Sequence, residues 1–286
     1  MRTEILSCLR CPVCRRDLEE KNGSLVCRDD DETTEKKRVH CFDLSSSGYC
    51  DLSYRSGGAG DPKSAVADRT AFLERGCYAP LADELIRLTE KYVRSDGLVV
   101  DEGCGEGYYS EKIAERRPEG FLFGADLSKF AVDKASRRRR NARRDNSFYA
   151  VASIFSLPLK DNCADGALCM FSPVAEEENL RILRPGGYLI VGSAGSDHLF
   201  GLKKAVYDVP YLNDPRADLP VRMKLAETTR IRYNVTVDNN ADILRLFGMT
   251  PYRFRTPAAA YERLKALDSV TTEIDVEFRV YQAPDE

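Results

Sequence analysis

The chain has 286 residues, 43% of them hydrophobic, and a formal net charge of −3. That length holds one large domain with an appendage or two modest ones, and so small a charge excludes a surface that attracts polyanions everywhere, leaving any nucleic-acid contact to a local patch. No apolar run approaches the roughly 20 residues needed to cross a bilayer, and Met1-Arg2-Thr3-Glu4 leads into no apolar signal core, so a cytoplasmic protein with no membrane partner is expected.

Residues 1–53 are polar and hold Cys8, Cys11, Cys14, Cys27, Cys41 and Cys50, six of the ten cysteines. In a reducing compartment such cysteines are metal ligands or core residues rather than disulfides. The two thiolates of Cys11-Pro12-Val13-Cys14 can take adjacent corners of a zinc tetrahedron, and Cys27 supplies a third. A closed structural site needs four ligands. The fourth is His40 or its neighbour Cys41, with Cys8 a further competitor outside the knuckle. The alternative is a set of reduced core cysteines without metal, but about 50 residues rarely form a core unaided. Residues 1–53 are therefore expected to form a zinc-binding domain, with the ion supporting folding rather than chemistry.

Ser56-Gly57-Gly58-Ala59-Gly60-Asp61-Pro62 marks a linker over 54–63. From 64 to 286, helical and strand patterns alternate. Leu81, Leu85, Leu88 and Tyr92 share one helical face. Leu98 to Asp101 reads as a buried strand, followed by a glycine turn and a helix from about Tyr108. Phe121–Asp126 is a second strand ending in an acid, and Lys129 to about Arg144 a very basic helix. Gly166–Phe171 and Gly187–Ser193 are further strands around a helix from about Ala175 to Leu183, with Arg184-Pro185-Gly186-Gly187 as the turn after it. This βαβ rhythm predicts a mainly parallel sheet with helices on both faces. Thr272, Ile274, Val276, Phe278 and Val280 alternate with polar residues, which predicts a half-exposed antiparallel strand at or near a sheet edge.

Val99-Val100-Asp101-Glu102-Gly103-Cys104-Gly105-Glu106-Gly107 joins the first of these strands to its helix. Glycines there let the backbone turn tightly and let a ligand approach without a Cβ in the way. Such a turn also occurs in dinucleotide-binding proteins. Asp101, ahead of Gly103, Gly105 and Gly107, suits a ligand carrying an ammonium group rather than a pyrophosphate, and Asp126 can accept hydrogen bonds from both hydroxyls of a ribose. Glu102 sits where this pattern usually has an apolar residue. An unpaired buried carboxylate is costly, so Glu102 is expected to find a partner such as an arginine or to reach solvent. With Ala152-Ser153-Ile154-Phe155-Ser156-Leu157-Pro158, whose Ser153 end would lie against an adenine, and the Arg184–Gly187 turn, four landmarks follow the order of class I S-adenosylmethionine-dependent methyltransferases. The fold class is thus read as α/β, a class I (Rossmann-like) methyltransferase sheet over 64–286 with a small N-terminal zinc-binding domain; a dinucleotide-binding fold is the alternative.

The resemblance is closer still. Cys11-Pro12-Val13-Cys14, Cys27, His40-Cys41-Phe42-Asp43, Gly48-Tyr49, Gly60-Asp61, Arg69 with Phe72-Leu73, Gly76-Cys77-Tyr78 with Pro80-Leu81, the glycine loop through Tyr108-Tyr109, Asp126, Leu157-Pro158, Pro173 and His198-Leu199 together resemble the bacterial 23S rRNA (guanine-N1)-methyltransferases. The resemblance runs over most of the chain, and the cysteine head joined to the Arg69–Tyr78 stretch is its most specific part. It implies a zinc site of three cysteines and one histidine, hence Cys11, Cys14, Cys27 and His40. It implies that Tyr78, Tyr109, Ser110 and His198 help line the S-adenosylmethionine site, and that a homodimer forms an RNA-binding cleft with its zinc heads. The activity implied is methyl transfer to N1 of a guanine in 23S ribosomal RNA; a small-molecule methyltransferase and a non-catalytic RNA-binding or cofactor-sensing protein are the alternatives.

Two features depart from the family pattern. The charged insert Asp29–Arg38 lengthens the spacer before His40, and its acidic start is expected to loop away from RNA. Phe171-Ser172-Pro173 keeps the proline but alters its neighbours; this loop is where stacking and polar contacts to a base are expected. Lys134, Arg137, Arg138, Arg139, Arg140, Arg143 and Arg144 form the strongest basic cluster, either an RNA contact or a solvated helix end. Guanine N1 carries a proton that has to leave, and the sequence alone names no base to take it.

Overall fold

The computed structural model describes residues 2–27, 39–54, 60–214, 216–254 and 256–285. The whole Asp29–Arg38 insert and Arg55–Ala59 of the linker lie outside them. The chain opens with α1 (Thr3–Cys8), β1 (Leu18–Lys21), β2 (Ser24–Cys27), β3 (Cys41–Asp43) and β4 (Cys50–Asp51). The glycine-loop half follows as α2 (Lys63–Leu73), α3 (Ala79–Tyr92), β5 (Leu98–Glu102), α4 (Tyr108–Arg116), β6 (Phe121–Asp126), α5 (Lys129–Asn141) and β7 (Ser147–Val151). Then come β8 (Ala164–Met170), α6 (Glu176–Ile182), β9 (Leu183–Ala194), α7 (Phe200–Val206), β10 (Lys224–Val237), α8 (Asn240–Gly248), a 3-10 turn (Pro251–Phe254), α9 (Ala258–Lys265) and β11 (Val270–Gln282).

Strands β1, β2 and β3 form a small antiparallel sheet. The other eight form one mixed sheet, in the order β10-β11-β9-β8-β5-β6-β7-β4. From β9 to β4 every pairing is parallel, and β11 runs antiparallel to both its neighbours. Two apolar layers cover it, one including Leu81, Leu85 and Leu88 of α3, the other including Ile5 and Leu9 from the N-terminal segment. That segment is bound to the large sheet through β4, whose Cys50 and Asp51 pair with Ala150 and Val151.

Local sequence accounts for the elements that frame the site. In α3 the buried residues Leu81, Ala82, Leu85, Leu88 and Thr89 recur at three- and four-residue spacing, and Pro80 sits in its first turn, where a missing N–H costs nothing. Ser128 caps α5, its hydroxyl accepting from Ala131 N at 3.4 Å.

Three expectations shift. Residues 184–187, read as a turn, and Leu183, read as the end of the helix before it, belong to the start of β9: Leu183 pairs with Ala164, the ladder slips between Ala164 and Gly166, and Gly186 takes a φ of +71°. β11 alternates as predicted, with Ile274, Val276, Phe278 and Val280 fully buried, but the outermost strand is β10, paired with it over residues 224–237. On the polar side of β11, Asp275 is fully buried because Arg230 of β10 grips both its oxygens, at 2.6 and 2.7 Å.

Candidate active site and metal centre

β5 is the strand at which the order reverses: β6 and β7 are laid down on one side of it, β8 and β9 on the other. A crevice opens beyond the carboxyl ends of the strands at such a point, and the glycine loop lies in it. Gly103 N and Cys104 N both donate to Ala125 O, at 2.8 and 3.0 Å, fastening the loop to β6. Gly103 has a φ of +77°, and a Cβ there would come within 2.7 Å of Ser172. Gly107, at +75°, opens α4 and packs against Ala135, which a Cβ would meet at 2.9 Å.

Two acids flank the loop. Asp126 accepts from Gly105 N at 3.1 Å on one oxygen and from Ser128 N at 2.7 Å on the other. Asp101 is 3% exposed. The Ser110 hydroxyl donates to it, and burial pushes its carboxyl up to about 6. Arg69 of α2 braces the loop from outside, donating to Glu106 at 2.7 Å and to Asp61 at 2.5 Å.

A cavity of about 940 Å³ extends from this loop, toward the upper end of the usual size for ligand sites. Tyr78, Asp101, Gly103, Gly105, Tyr109 and Asp126 line it, with Ser153 and His198 on further walls. Gly107 and Ser110 do not line it: Gly107 serves the packing of α4 on α5, and Ser110 reaches it only through Asp101. The Tyr109 hydroxyl is buried with no hydrogen-bond partner among the described residues. An unpartnered hydroxyl and a buried carboxylate with no cation beside it, on one cavity wall, fit a ligand that carries both a positive charge and polar acceptors, as an amino-acid moiety does.

Across the cavity, Tyr78, Phe171 and His198 meet edge to face or tilted, with ring centroids 5.6–6.5 Å apart. Asp275 N donates to His198 Nδ1 at 3.2 Å, so the neutral ring carries its proton on Nε2, which faces the Tyr78 hydroxyl at 3.3 Å. Burial lowers the His198 pKa to about 4. Tyr78 is 1% exposed, and burial raises its phenol well above the ordinary range. Phe171 takes a φ of +56° and is 42% exposed, presenting its ring at the opening of the Phe171-Ser172-Pro173 loop. Ser172 is tied down by its hydroxyl, which donates to Glu102 O at 2.6 Å.

Glu102 meets neither an arginine nor solvent. It is 0% exposed, and the only hydrogen-bonding partner of its carboxyl group among the described residues is the Asn179 side-chain amide at 3.4 Å. Burial raises its pKa well above the usual carboxyl range. One Glu102 oxygen and the Asn179 carbonyl oxygen are both left without partners, the pattern of a neutral carboxylic acid, whose proton makes it a donor.

The basic cluster on and just after α5 is largely paired within the molecule. Arg137 pairs with Asp133 at 2.7 Å, Arg138 with Glu74 at 2.9 Å and Arg144 with Glu111 at 3.3 Å. Arg139 and Arg140 donate to the Ser147 and Ser46 carbonyls. Sequence reasoning missed the wall between α7 and β10, where Asn213 and Arg216 line the cavity. They carry no recognisable spacing, and only the turn of the chain after α7 brings them there.

In the N-terminal segment the ligand atoms of Cys11, Cys14, Cys27 and His40 all lie within 4.8 Å of one another. His40 Nδ1 is 3.6 Å from both the Cys11 and Cys27 sulfurs. Sulfurs of a tetrahedral zinc–thiolate set with Zn–S of about 2.3 Å stand about 3.7 Å apart, so three thiols and one imidazole nitrogen at this spacing fit zinc. Arg16 donates to Cys14 Sγ at 3.3 Å and His40 N to Cys27 Sγ at 3.0 Å, the outer contacts that favour thiolates. Cys41 is exposed, its thiol turned toward Asp43 at 3.9 Å.

The strand order, the acid–glycine loop at the reversal point and the adjoining cavity define a class I S-adenosylmethionine-dependent methyltransferase, and a methyltransferase-domain family model matches residues 94–231. The chain belongs to the 23S rRNA (guanine-N1)-methyltransferase family. It is 35% identical over 212 residues to the 23S rRNA (guanine(748)-N(1))-methyltransferase of Streptomyces fradiae, covering 72% of this chain and 70% of that one. A putative enzyme of the same kind from Micromonospora griseorubida is 30% identical, covering 95% and 96%, and YxjB of Bacillus subtilis is 29% identical, covering 98% of both. Among solved structures the YcgJ protein of Bacillus subtilis superposes with a TM-score of 0.50 at 15% identity, over 72% of this chain and 98% of that one, a likeness of fold alone. Among the described residues no helix is long and apolar enough to cross a membrane.

Proposed function

We propose that this chain transfers a methyl group from S-adenosylmethionine to N1 of a guanine in 23S ribosomal RNA. The observation that carries the reading is that the match to the Bacillus and Micromonospora relatives covers almost the whole chain, cysteine head included, rather than the cofactor half alone. Asp101, with the Tyr109 hydroxyl nearby and Ser110 behind it, would receive the amino-acid end of the cofactor. Asp126 would receive the ribose hydroxyls and the Ser153 stretch the adenine, while Gly103 and Gly105 keep the loop close to the ligand and Gly107 lets α4 pack on α5. Tyr78 and His198 would close the wall nearest the reacting carbon, and the guanine would lie at the Phe171-Ser172-Pro173 loop. When bound, the cofactor supplies a methyl carbon on an already activated sulfonium, so positioning provides much of the rate. Zinc on Cys11, Cys14, Cys27 and His40 would fold the 1–53 domain that adjoins the 64–286 methyltransferase domain. A cytoplasmic homodimer framing an RNA cleft with its two heads belongs to the same reading.

The test is incubation with radiolabelled cofactor and either 23S ribosomal RNA transcribed without modifications or a mixture of small metabolites. Label is expected in the RNA, on guanine N1 after digestion; label in metabolites alone sinks the reading.

The reading also predicts a pH dependence. A bound cation requires Asp101 ionised, and its carboxyl stands at about 6 in the protein alone. Cofactor affinity, measured by calorimetry, should therefore be full above pH 6 and weaken as pH falls through it, by up to about tenfold per unit. Affinity that stays level from neutrality down to pH 5 would separate Asp101 from the ammonium group.

A further inference from the structure

We infer that Asp214 is a catalytic residue, the carboxylate that reads the N1–H edge of the target guanine and takes its proton; this rests on the guanine-N1 reading above. His198 is the other obvious candidate. Its Nδ1 is occupied by the Asp275 N–H, and its Nε2 carries the ring proton, so it offers no lone pair to the cavity. The acids lining the cavity remain. Asp61 and Glu106 are held by Arg69, and Asp101 accepts from Ser110. Asp126 accepts two backbone amides, and Asp218 accepts from Arg216 and from Val174 N. Asp214, exposed on the same wall, is the one lining carboxylate with no hydrogen-bond or ion-pair partner among the described residues; Lys203 of α7 is its charged neighbour.

Asn213 before it and Arg216 two residues after it are both held by hydrogen bonds. Asn213 donates to Gly195 O at 2.9 Å and His198 O at 3.0 Å, and its own carbonyl accepts from Lys203 Nζ at 2.7 Å and the Tyr252 hydroxyl at 3.1 Å. On the other side Arg216 donates to Ser172 O at 2.5 Å, tying this wall to the Phe171-Ser172-Pro173 loop. A carboxylate is also the acceptor-only group that complements guanine's adjacent N1–H and N2–H donors, while adenine presents no donor at N1.

The proton balance closes with groups already named. As the bond from N1 to the methyl carbon forms and the carbon–sulfur bond breaks, the sulfonium becomes a neutral thioether and the N1 proton passes to the Asp214 carboxylate. The product base is neutral, and exposed Asp214 releases the proton to water.

The experiment compares wild type, Asp214→Asn and Asp214→Glu on unmodified 23S ribosomal RNA, with single-turnover rates and cofactor affinity measured separately. Asp214→Asn is expected to lose about 10²–10⁴-fold in rate at unchanged cofactor affinity. Its residual rate should climb as pH is raised toward the ionisation of guanine N1, where no base is needed, while the wild-type rate stays level; Asp214→Glu should recover part of the loss. A wild-type rate in Asp214→Asn, or a loss equal at every pH, overturns the inference. A wild-type enzyme that puts no methyl on guanine N1 fails the earlier reading, and this inference with it.

Discussion

Replacing His40 with alanine or Cys14 with serine is expected to release zinc and unfold residues 1–53, whereas Cys41→Ser should keep one zinc per chain. The contrast follows from placement. Cys14 and His40 contribute two of four ligand atoms that lie within 4.8 Å of one another, and the Cys41 thiol is exposed and turned away. Structural zinc contributes about 10–16 kcal/mol of apparent binding energy in small peptides, nearly all of it folding energy, and the few buried apolar residues of this segment, Ile5, Leu9, Leu18 and Leu25, cannot replace that alone. An exposed Cys→Ser change away from such a site is worth about 0.5 kcal/mol or less. Metal analysis together with thermal melting decides it. Loss of zinc in Cys41→Ser with retention in His40→Ala would reverse the ligand assignment.

The second large effect is expected at Arg69. Glu106 is 2% exposed, and Arg69, itself 22% exposed in its side chain, is its ion-pair partner. Removing one member of a buried pair leaves the other charged and unpaired, at about 3–5 kcal/mol. Arg69→Ala should therefore lower unfolding free energy by that order. It should also weaken cofactor binding, because the same guanidinium stands against Gly105, where a Cβ would meet it at 3.1 Å. Arg69→Lys keeps a charge but not the planar fork that reaches both Asp61 and Glu106, so an intermediate loss is expected. Denaturant titration and calorimetry on the three proteins test this; a change below about 1 kcal/mol with intact affinity would show that the loop stands without the brace.

Much of this site was legible in the sequence because its demands are local. Gly103 and Gly107 must hold positive φ, Asp101 and Asp126 end adjacent strands, and both requirements leave a mark at fixed spacing. The Cys11–Cys14 knuckle is legible for the same reason, while the choice between His40 and Cys41 was a matter of side-chain direction. What escaped depends on residues far apart in the chain. Nothing near Asp275 announces that a strand some 45 residues earlier supplies the arginine that lets it be buried. The basic run from Lys134 to Arg144 left RNA contact and solvated helix end equally open, because composition reports charge and not the partners that absorb it. Glu102 was expected to seek charge or water, and the structure answers with an amide, which a carboxylic acid can use once it is neutral.

The attachment of β4 to β7 has a consequence for how the chain can be divided. The two borders of the large sheet are protected differently. β10 is a long border carrying Lys224, Arg230 and Arg232, with a slip in its ladder near Leu225, features that discourage another strand from adding to it. At the opposite border the two-residue β4 pairs with Ala150 and Val151, the last two residues of the wholly buried β7, Ser147-Phe148-Tyr149-Ala150-Val151. A chain trimmed at the linker would keep the glycine loop and cavity walls but lay bare an uncharged, strand-forming segment of the kind that seeds aggregates. Removing the N-terminal segment is thus expected to make the methyltransferase half prone to joining its neighbours edge to edge.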